Sequence, residues 1–297
     1  MARSFNPIVF FPLLITLLAY LSQPPHPRDL KPKVFVLGLS KTGTTSLGDG
    51  LAQLGYKRLG WKSILSRYLS YSYHRYALSP ADEQERLAYL DILKRQTEYY
   101  DAFEDLPWPF VYAEMAKMYP SAKFILLTRD EGKWMKSMRT HLARGIWIGY
   151  EWFYGVEAIN SKLDEETALQ AYRKHNTAVE GYFADKPGRL MEMNIDEGQA
   201  TWECLCSFIS CKHVPDGKFP RSNSAESWGD GTLMGKLGAI PMTIISRVEE
   251  AVVSLLENQK GTRLESFVLK GMFLFWKAVL VLDQATVETW WYFRDIK

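Results

Sequence analysis

The stretch Lys33–Leu47, KVFVLGLSKTGTTSL, decides the fold. The apolar run from Val34 to Gly38 predicts a buried strand, and it runs directly into a loop of small hydroxyl residues that carries Lys41. A helix start follows. A strand, a Gly-bounded turn and a helix start in that order form an anion cradle. The first N–H groups of the helix lack intrahelical partners, and the positive end of its dipole faces the ligand.

The position of the lysine narrows the anion. A nucleoside-triphosphatase loop reads G-x-x-x-x-G-K-[ST], with Lys directly after the second Gly. Gly38 and Gly43 keep that spacing, but Thr44 stands in the Lys position and Lys41 lies inside the loop. The departure argues against ordinary ATP hydrolysis. The pattern K-[ST]-G-T-[TS] after a strand instead resembles the 5′-phosphosulfate loop of sulfotransferases that use 3′-phosphoadenosine-5′-phosphosulfate (PAPS). The resemblance implies that Lys41, Thr42, Gly43, Thr44, Thr45 and Ser46 bind the donor there, with Lys41 donating to the bridging and 5′-phosphate oxygens.

A second strand leads to a second cation. Ala122 to Thr128, AKFILLT, is an apolar run suited to a buried parallel strand, and RDEGKWMKS follows at once. In the same family an Arg at this strand end and a Ser eight positions later bind the 3′-phosphate, and Arg129 with Ser137 match that arrangement. A guanidinium offers a bidentate fork to phosphate oxygens, and a hydroxyl near the following helix adds a neutral donor. Arg129 alone would read as a surface ion pair with Asp130 or Glu131; the loop at the other strand end gives it its role.

The resemblance extends to the branch called the sulfotransferase-4 type, which shows an acidic D-x-P-W motif and a helix ending in Y-P between the two phosphate elements. Here these stand as DAFEDLPWPFVYAEMAKMYP, Asp101 to Pro120. Tyr172 with His175 and Asn176, then GRLMEMN, Trp202 to Ile209 and Phe219 to Asn223 follow in the family's order. The match therefore covers residues 33 to 223. It implies a PAPS-dependent sulfotransferase that moves a sulfuryl group to a hydroxyl or amine of a carbohydrate, lipid or phenol, with no metal required.

The acceptor needs a general base. Asp105, before Leu-Pro-Trp in the acidic motif, is the first choice, with Glu104 behind it; both fall at a strand end where a doubly wound sheet places its site groups. His175 is a weaker candidate. His74 and His141, as lone histidines, read as surface or core residues.

The expected fold is α/β: a three-layer P-loop domain with a mainly parallel central sheet, plus a hydrophobic N-terminal helix and a C-terminal helical appendage. Strands are expected at Val34 to Gly38, Tyr100 to Glu104, Lys123 to Thr128 and Arg189 to Met193, alternating with helices in right-handed βαβ units. Residues 57 to 99 and 140 to 162, rich in Tyr and Trp, are expected to cover the acceptor pocket. With 297 residues, 47% hydrophobic and 14% aromatic, the chain can bury one full core. A formal charge of +2 provides no global field for a nucleic-acid partner.

Three segments follow from these boundaries: 1–32 as anchor and Pro-rich linker, 33–223 as the catalytic domain, and 224–297 as a C-terminal helical region. Asn6 to Ser22, NPIVFFPLLITLLAYLS, carries no charge and is followed by no A-x-A cleavage site. It predicts an uncleaved signal anchor with the domain on the lumenal side, the arrangement of Golgi sulfotransferases. A cleaved signal peptide, a cytosol-facing tether and a buried helix are the other readings. In the last segment, Ala239–Leu256 and Leu264–Leu282 read as apolar helices. Lys270 and Lys277 share one face of the second, which suits either a membrane interface or a helical pair packed on the domain.

Cys204, Cys206 and Cys211 stand close to His213, but C-x-C-x4-C-x-H lacks paired C-x-x-C spacing, and TWECLCSFI has the pattern of a core helix. The odd, clustered set predicts neither a metal site nor a disulfide framework. The alternatives to sulfuryl transfer are a P-loop small-molecule kinase or NTPase, and a non-catalytic nucleotide-binding membrane protein. A dinucleotide fold is excluded because no G-x-G-x-x-G opens the first helix.

Overall fold

The computed structural model describes residues 31–60, 66, 69, 70, 73, 83–142, 149–154, 164–222 and 271. The expected anchor at 6–22, His74, Asn223, the two C-terminal apolar stretches apart from residue 271, and much of 57–99 and 140–162 lie outside the described residues. Among those that are described, no helix is long and apolar enough to cross a membrane.

Five short parallel strands carry the fold: β1 (Val34–Val36), β2 (Arg58–Leu59), β3 (Ala102–Phe103), β4 (Lys123–Thr128) and β5 (Leu190–Asn194). Their order across the sheet is β2-β3-β1-β4-β5, so the chain fills one side of β1 first and then crosses to the other. Val34 pairs with Ala102 on one flank and Lys123 on the other. The alternation of side chains along a strand divides the core in two. Phe35, Phe124 and Leu126 pack on one face against Tyr89, Met115 and Phe183. Val34, Val36, Ile125 and Leu127 pack on the other against Leu47, Leu51, Trp202 and Leu205. All seven of these strand positions are buried, as expected for a sheet covered on both faces.

The covering helices are α1 (Thr44–Gln53), α2 (Glu83–Tyr99), α3 (Tyr112–Met118), α4 (Glu131–Leu142), α5 (Gly149–Tyr154), α6 (Glu165–Phe183) and α7 (Trp202–Ile209). Local chemistry sets their starts: Asp164 accepts from the Thr167 amide to cap α6, and Thr201 accepts from the Cys204 amide to cap α7. A third apolar cluster, joining Leu39 and Leu106 to Trp134, Tyr150, Phe153, Tyr154 and Tyr172, lies over the carboxyl ends of the strands.

The strands expected at Val34 to Gly38, Tyr100 to Glu104 and Arg189 to Met193 are present but shifted or shorter, and β2 is an addition. Leu37 still bonds Ile125 O at 2.7 Å after β1 ends, because the chain turns away only where the loop begins. The cysteines depart from expectation. Cys206 and Cys211 form a disulfide, while Cys204 is free and exposed. The reason is local: Ser210 ends α7 in the left-handed region at φ 57°. This turn brings the Cys211 amide back to Cys206 O at 3.0 Å.

Candidate functional site

Four strand ends meet at one edge of the sheet, the place where open α/β folds bind ligands. They contribute the loop after β1, the acidic pair after β3, Arg129 after β4, and Asp196 after β5.

The β1 loop is held tightly. A Cβ on Gly38 would lie 2.4 Å from Thr42 Oγ1 and 2.5 Å from Leu127 Cβ, so only glycine fits beside β4. Replacing Gly38 by Ala should cost about 1–3 kcal/mol of stability through overpacking, read as a lower denaturation midpoint; an unchanged midpoint would show that the loop moves aside freely. Thr42 is buried and donates to Leu39 O at 2.6 Å. Lys41 and Gly43 both have positive φ, 73° and 96°. Gly43 caps α1 with no side-chain hydrogen bond, and the positive end of the α1 dipole opens on this loop.

Aromatic side chains pin this loop from outside. The Ser40 amide donates to Tyr154 OH at 3.1 Å, and Trp134 Nε1 donates to Ser40 O at 3.0 Å. Trp134 stacks on Tyr172, and Tyr172 OH accepts from the Arg129 amide and donates to Arg129 O. One aromatic pair thus sets both the β1 loop and the end of β4.

The carboxylates after β3 occupy different surroundings. Asp105, buried at φ 65°, accepts from Ser40 Oγ (2.9 Å), the Leu106 amide (2.9 Å) and Thr44 Oγ1 (3.2 Å). Burial raises its pKa above the ordinary Asp value; those three bonds and the charge of Lys41 oppose the rise without cancelling it. Glu104 lies instead against Gly48, Gly60 and Arg58, and a Cβ on Gly60 would sit 1.8 Å from its Oε1. Its Oε1 accepts from Arg58 at 2.7 Å, its buried Oε2 has no hydrogen-bond partner, and burial pushes its pKa up to about 7. Arg58 also pairs with Asp49 on α1.

Arg129 reaches the β1 loop directly, with Nη1 on Lys41 O at 3.1 Å, so its guanidinium and the loop that carries Lys41 stand at one site. Ser137 is half-buried on α4. Thr45 and Lys41 are half-buried at the start of α1 and in the loop. Ser46 faces away from the loop's hydroxyls, sharing hydrogen bonds with Ser222. His175 is buried, with its ring Nε2–H on Leu37 O at 2.7 Å and its pKa lowered to about 4 by burial; it acts as a core donor that ties α6 to β1. Among the described residues no His, Cys, Asp and Glu group is arranged to hold a metal ion. Sequence reasoning passed over Tyr154, Trp134, Arg58 and Asp196. Trp134 alone carried a signal, sitting inside the RDEGKWMKS run.

A family model described as "Sulfotransferase domain" matches residues 33–228. The protein "Ava biosynthesis cluster protein M" of Aspergillus versicolor is 26% identical over 217 residues, 63% of this chain and 79% of that protein. A crystal structure of a sulfotransferase from Alicyclobacillus acidocaldarius aligns with 18% identity and a TM-score of 0.39, covering 76% of this chain and 95% of that one.

Proposed function

The chain belongs to the sulfotransferase domain family, and from that premise we propose that it moves a sulfuryl group from PAPS to a hydroxyl or amine of a small acceptor. The observation that carries this reading is the meeting of Arg129 with the Lys41 loop, next to the start of α1. An adenosine 3′,5′-bisphosphate carries negative charge at both ends, and in this reading one cation is assigned to each.

In the proposed reaction the acceptor oxygen or nitrogen attacks sulfur in line with the bridging oxygen. A new bond to sulfur forms and the bridging S–O bond breaks. Negative charge grows on the departing phosphate, where Lys41 and the first N–H groups of α1 neutralise it. Thr44 and Thr45 hold the 5′-phosphate, and Arg129 with Ser137 holds the 3′-phosphate. Asp105 takes the acceptor proton, leaving sulfated acceptor and 3′,5′-ADP. Glu104, paired with Arg58, keeps α1 seated against the sheet. The Tyr73 and Phe110 rings, with centroids 5.1 Å and 4.8 Å from that of Phe153, offer with it an apolar wall for the acceptor.

We also propose anchorage by Asn6–Ser22 in an oxidising compartment of the secretory pathway. That apolar run and the Cys206–Cys211 disulfide support it.

Thermal unfolding with nucleotide tests the donor. A hundredfold excess of 3′,5′-ADP over its Kd should stabilise the protein by about 3 kcal/mol, while ATP with Mg²⁺ should give far less. The reverse order would favour a kinase and sink the sulfuryl reading. Labelled PAPS offered with sugars, phenols and lipids then identifies the acceptor.

A further inference from the structure

Asp196 lies just past β5, in no motif of the sequence, yet it makes two hydrogen bonds to the Arg129 guanidinium. Its Oδ2 accepts from Arg129 Nε and its Oδ1 from Nη2, both at 3.3 Å. The Asp130 amide donates to Oδ2 at 3.1 Å, and Lys133 Nζ stands 3.6 Å from Oδ1. The carboxylate is itself fixed, because its own amide donates to Asn194 Oδ1 at 3.0 Å and the neighbouring Ile195 amide donates to Thr128 O. Burial acts to raise its pKa, but the bonds and charge of Arg129 outweigh burial and hold it below the ordinary range. It is therefore charged throughout the neutral pH range.

The donor geometry of Arg129 follows. A guanidinium has five N–H donors in one plane. Nε and Nη2 each give one to Asp196, and Nη1 gives one to Lys41 O. Two remain, one on each terminal nitrogen, for an incoming phosphate. Asp196 thus selects which edge of Arg129 faces the ligand. The same β5 loop touches the other end of the site, for a Cβ on Gly43 would lie 3.3 Å from Ile195 Cδ1.

We propose that Asp196 is a positioning residue that fixes the Arg129 guanidinium and so sets the preference for a nucleotide bearing a 3′-phosphate. The proposal rests on the PAPS reading above. Two effects oppose each other when the carboxylate is removed. Repulsion of an incoming phosphate is relieved, but Arg129 loses the partner that orders its long side chain. Side-chain exposures of 19% and 15% leave the charges partly screened while the geometry stays demanding, so ordering wins.

Calorimetric titration of the full chain with adenosine 3′,5′-bisphosphate and adenosine 5′-monophosphate reads the preference as a ratio of affinities. Asp196→Asn keeps the shape and an acceptor for the Asp130 amide. It should lower the ratio about tenfold, the effect of freeing one rotamer-rich side chain, with monophosphate affinity unchanged. Asp196→Glu should recover part of the ratio, and KM for PAPS should rise in Asp196→Asn while KM for the acceptor holds. If Asp196→Asn fails to fold, Asn194→Ala, which frees the loop amide of Asp196, should lower the ratio in the same direction. A wild-type ratio retained in whichever variant folds overturns the role of Asp196 and leaves the PAPS reading standing. A wild-type protein that binds neither nucleotide overturns both.

Discussion

Lys41→Ala should turn over PAPS about 10²- to 10³-fold more slowly than the native protein, with little change in its unfolding midpoint. The rate effect follows from the role of the ammonium. It meets charge that appears on the bridging oxygen only as the S–O bond breaks, so its loss falls on kcat more than on KM. Stability is spared for two reasons. The backbone at this position has φ 73°, which is as unfavourable for Lys as for Ala, so no new strain arises. Arg129 bonds the backbone carbonyl of Lys41, an acceptor that alanine retains. Initial rates with labelled PAPS, paired with a melting curve, provide the check. Native turnover in a folded Lys41→Ala protein would remove Lys41 from the chemistry.

Asp105→Asn is expected to slow turnover by about 10²- to 10⁴-fold and to abolish the acidic limb of the pH–rate profile. Burial holds the Asp105 pKa above the usual Asp value, so the native limb should lie above the ordinary Asp range, with activity rising as the carboxyl ionises. The same shift acts on the fold with the opposite sign. Stability from the neutral carboxyl is complete below the unfolded pKa and is lost as pH rises through the folded one. Asparagine suits the position well. It tolerates the φ of 65°, its Oδ1 still accepts from Ser40 and Leu106, and its amide can donate to Thr44 Oγ1. The variant should therefore fold, which makes the rate meaningful. An Asp105→Asn protein with the same acidic limb and comparable turnover would pass the role of base to another group, with Glu104, pushed up to about 7, the next to replace.

Much of the site was legible in the chain before its structure. Gly38, Lys41 and Gly43 announced a loop by their spacing, and Arg129 announced a strand end by following AKFILLT. Both signals are local, since a buried parallel strand reads as a short apolar run and a loop that grips an anion needs glycine at set intervals. The short strands were harder. β2, only Arg58–Leu59, carries no apolar run of its own and exists because β3 offers it a ladder. The disulfide was hidden for a similar reason. Two cysteines five apart meet only if the helix ends between them in a left-handed residue, and Ser210 is not the glycine that usually signals such an end.

From residue order alone came the strand, loop and helix sequence, the two cations and the acidic pair, because periodicity and spacing act over a few neighbouring residues. Chain folding supplied the rest. Tyr154 meets Ser40 across 114 residues, His175 meets Leu37 across 138, and Asp196 meets Arg129 across 67. No local pattern encodes these partners. They are selected by which distant side chain reaches an unpaired donor once the sheet has brought four strand ends to one edge, since a buried polar group left alone costs more than the contact that satisfies it.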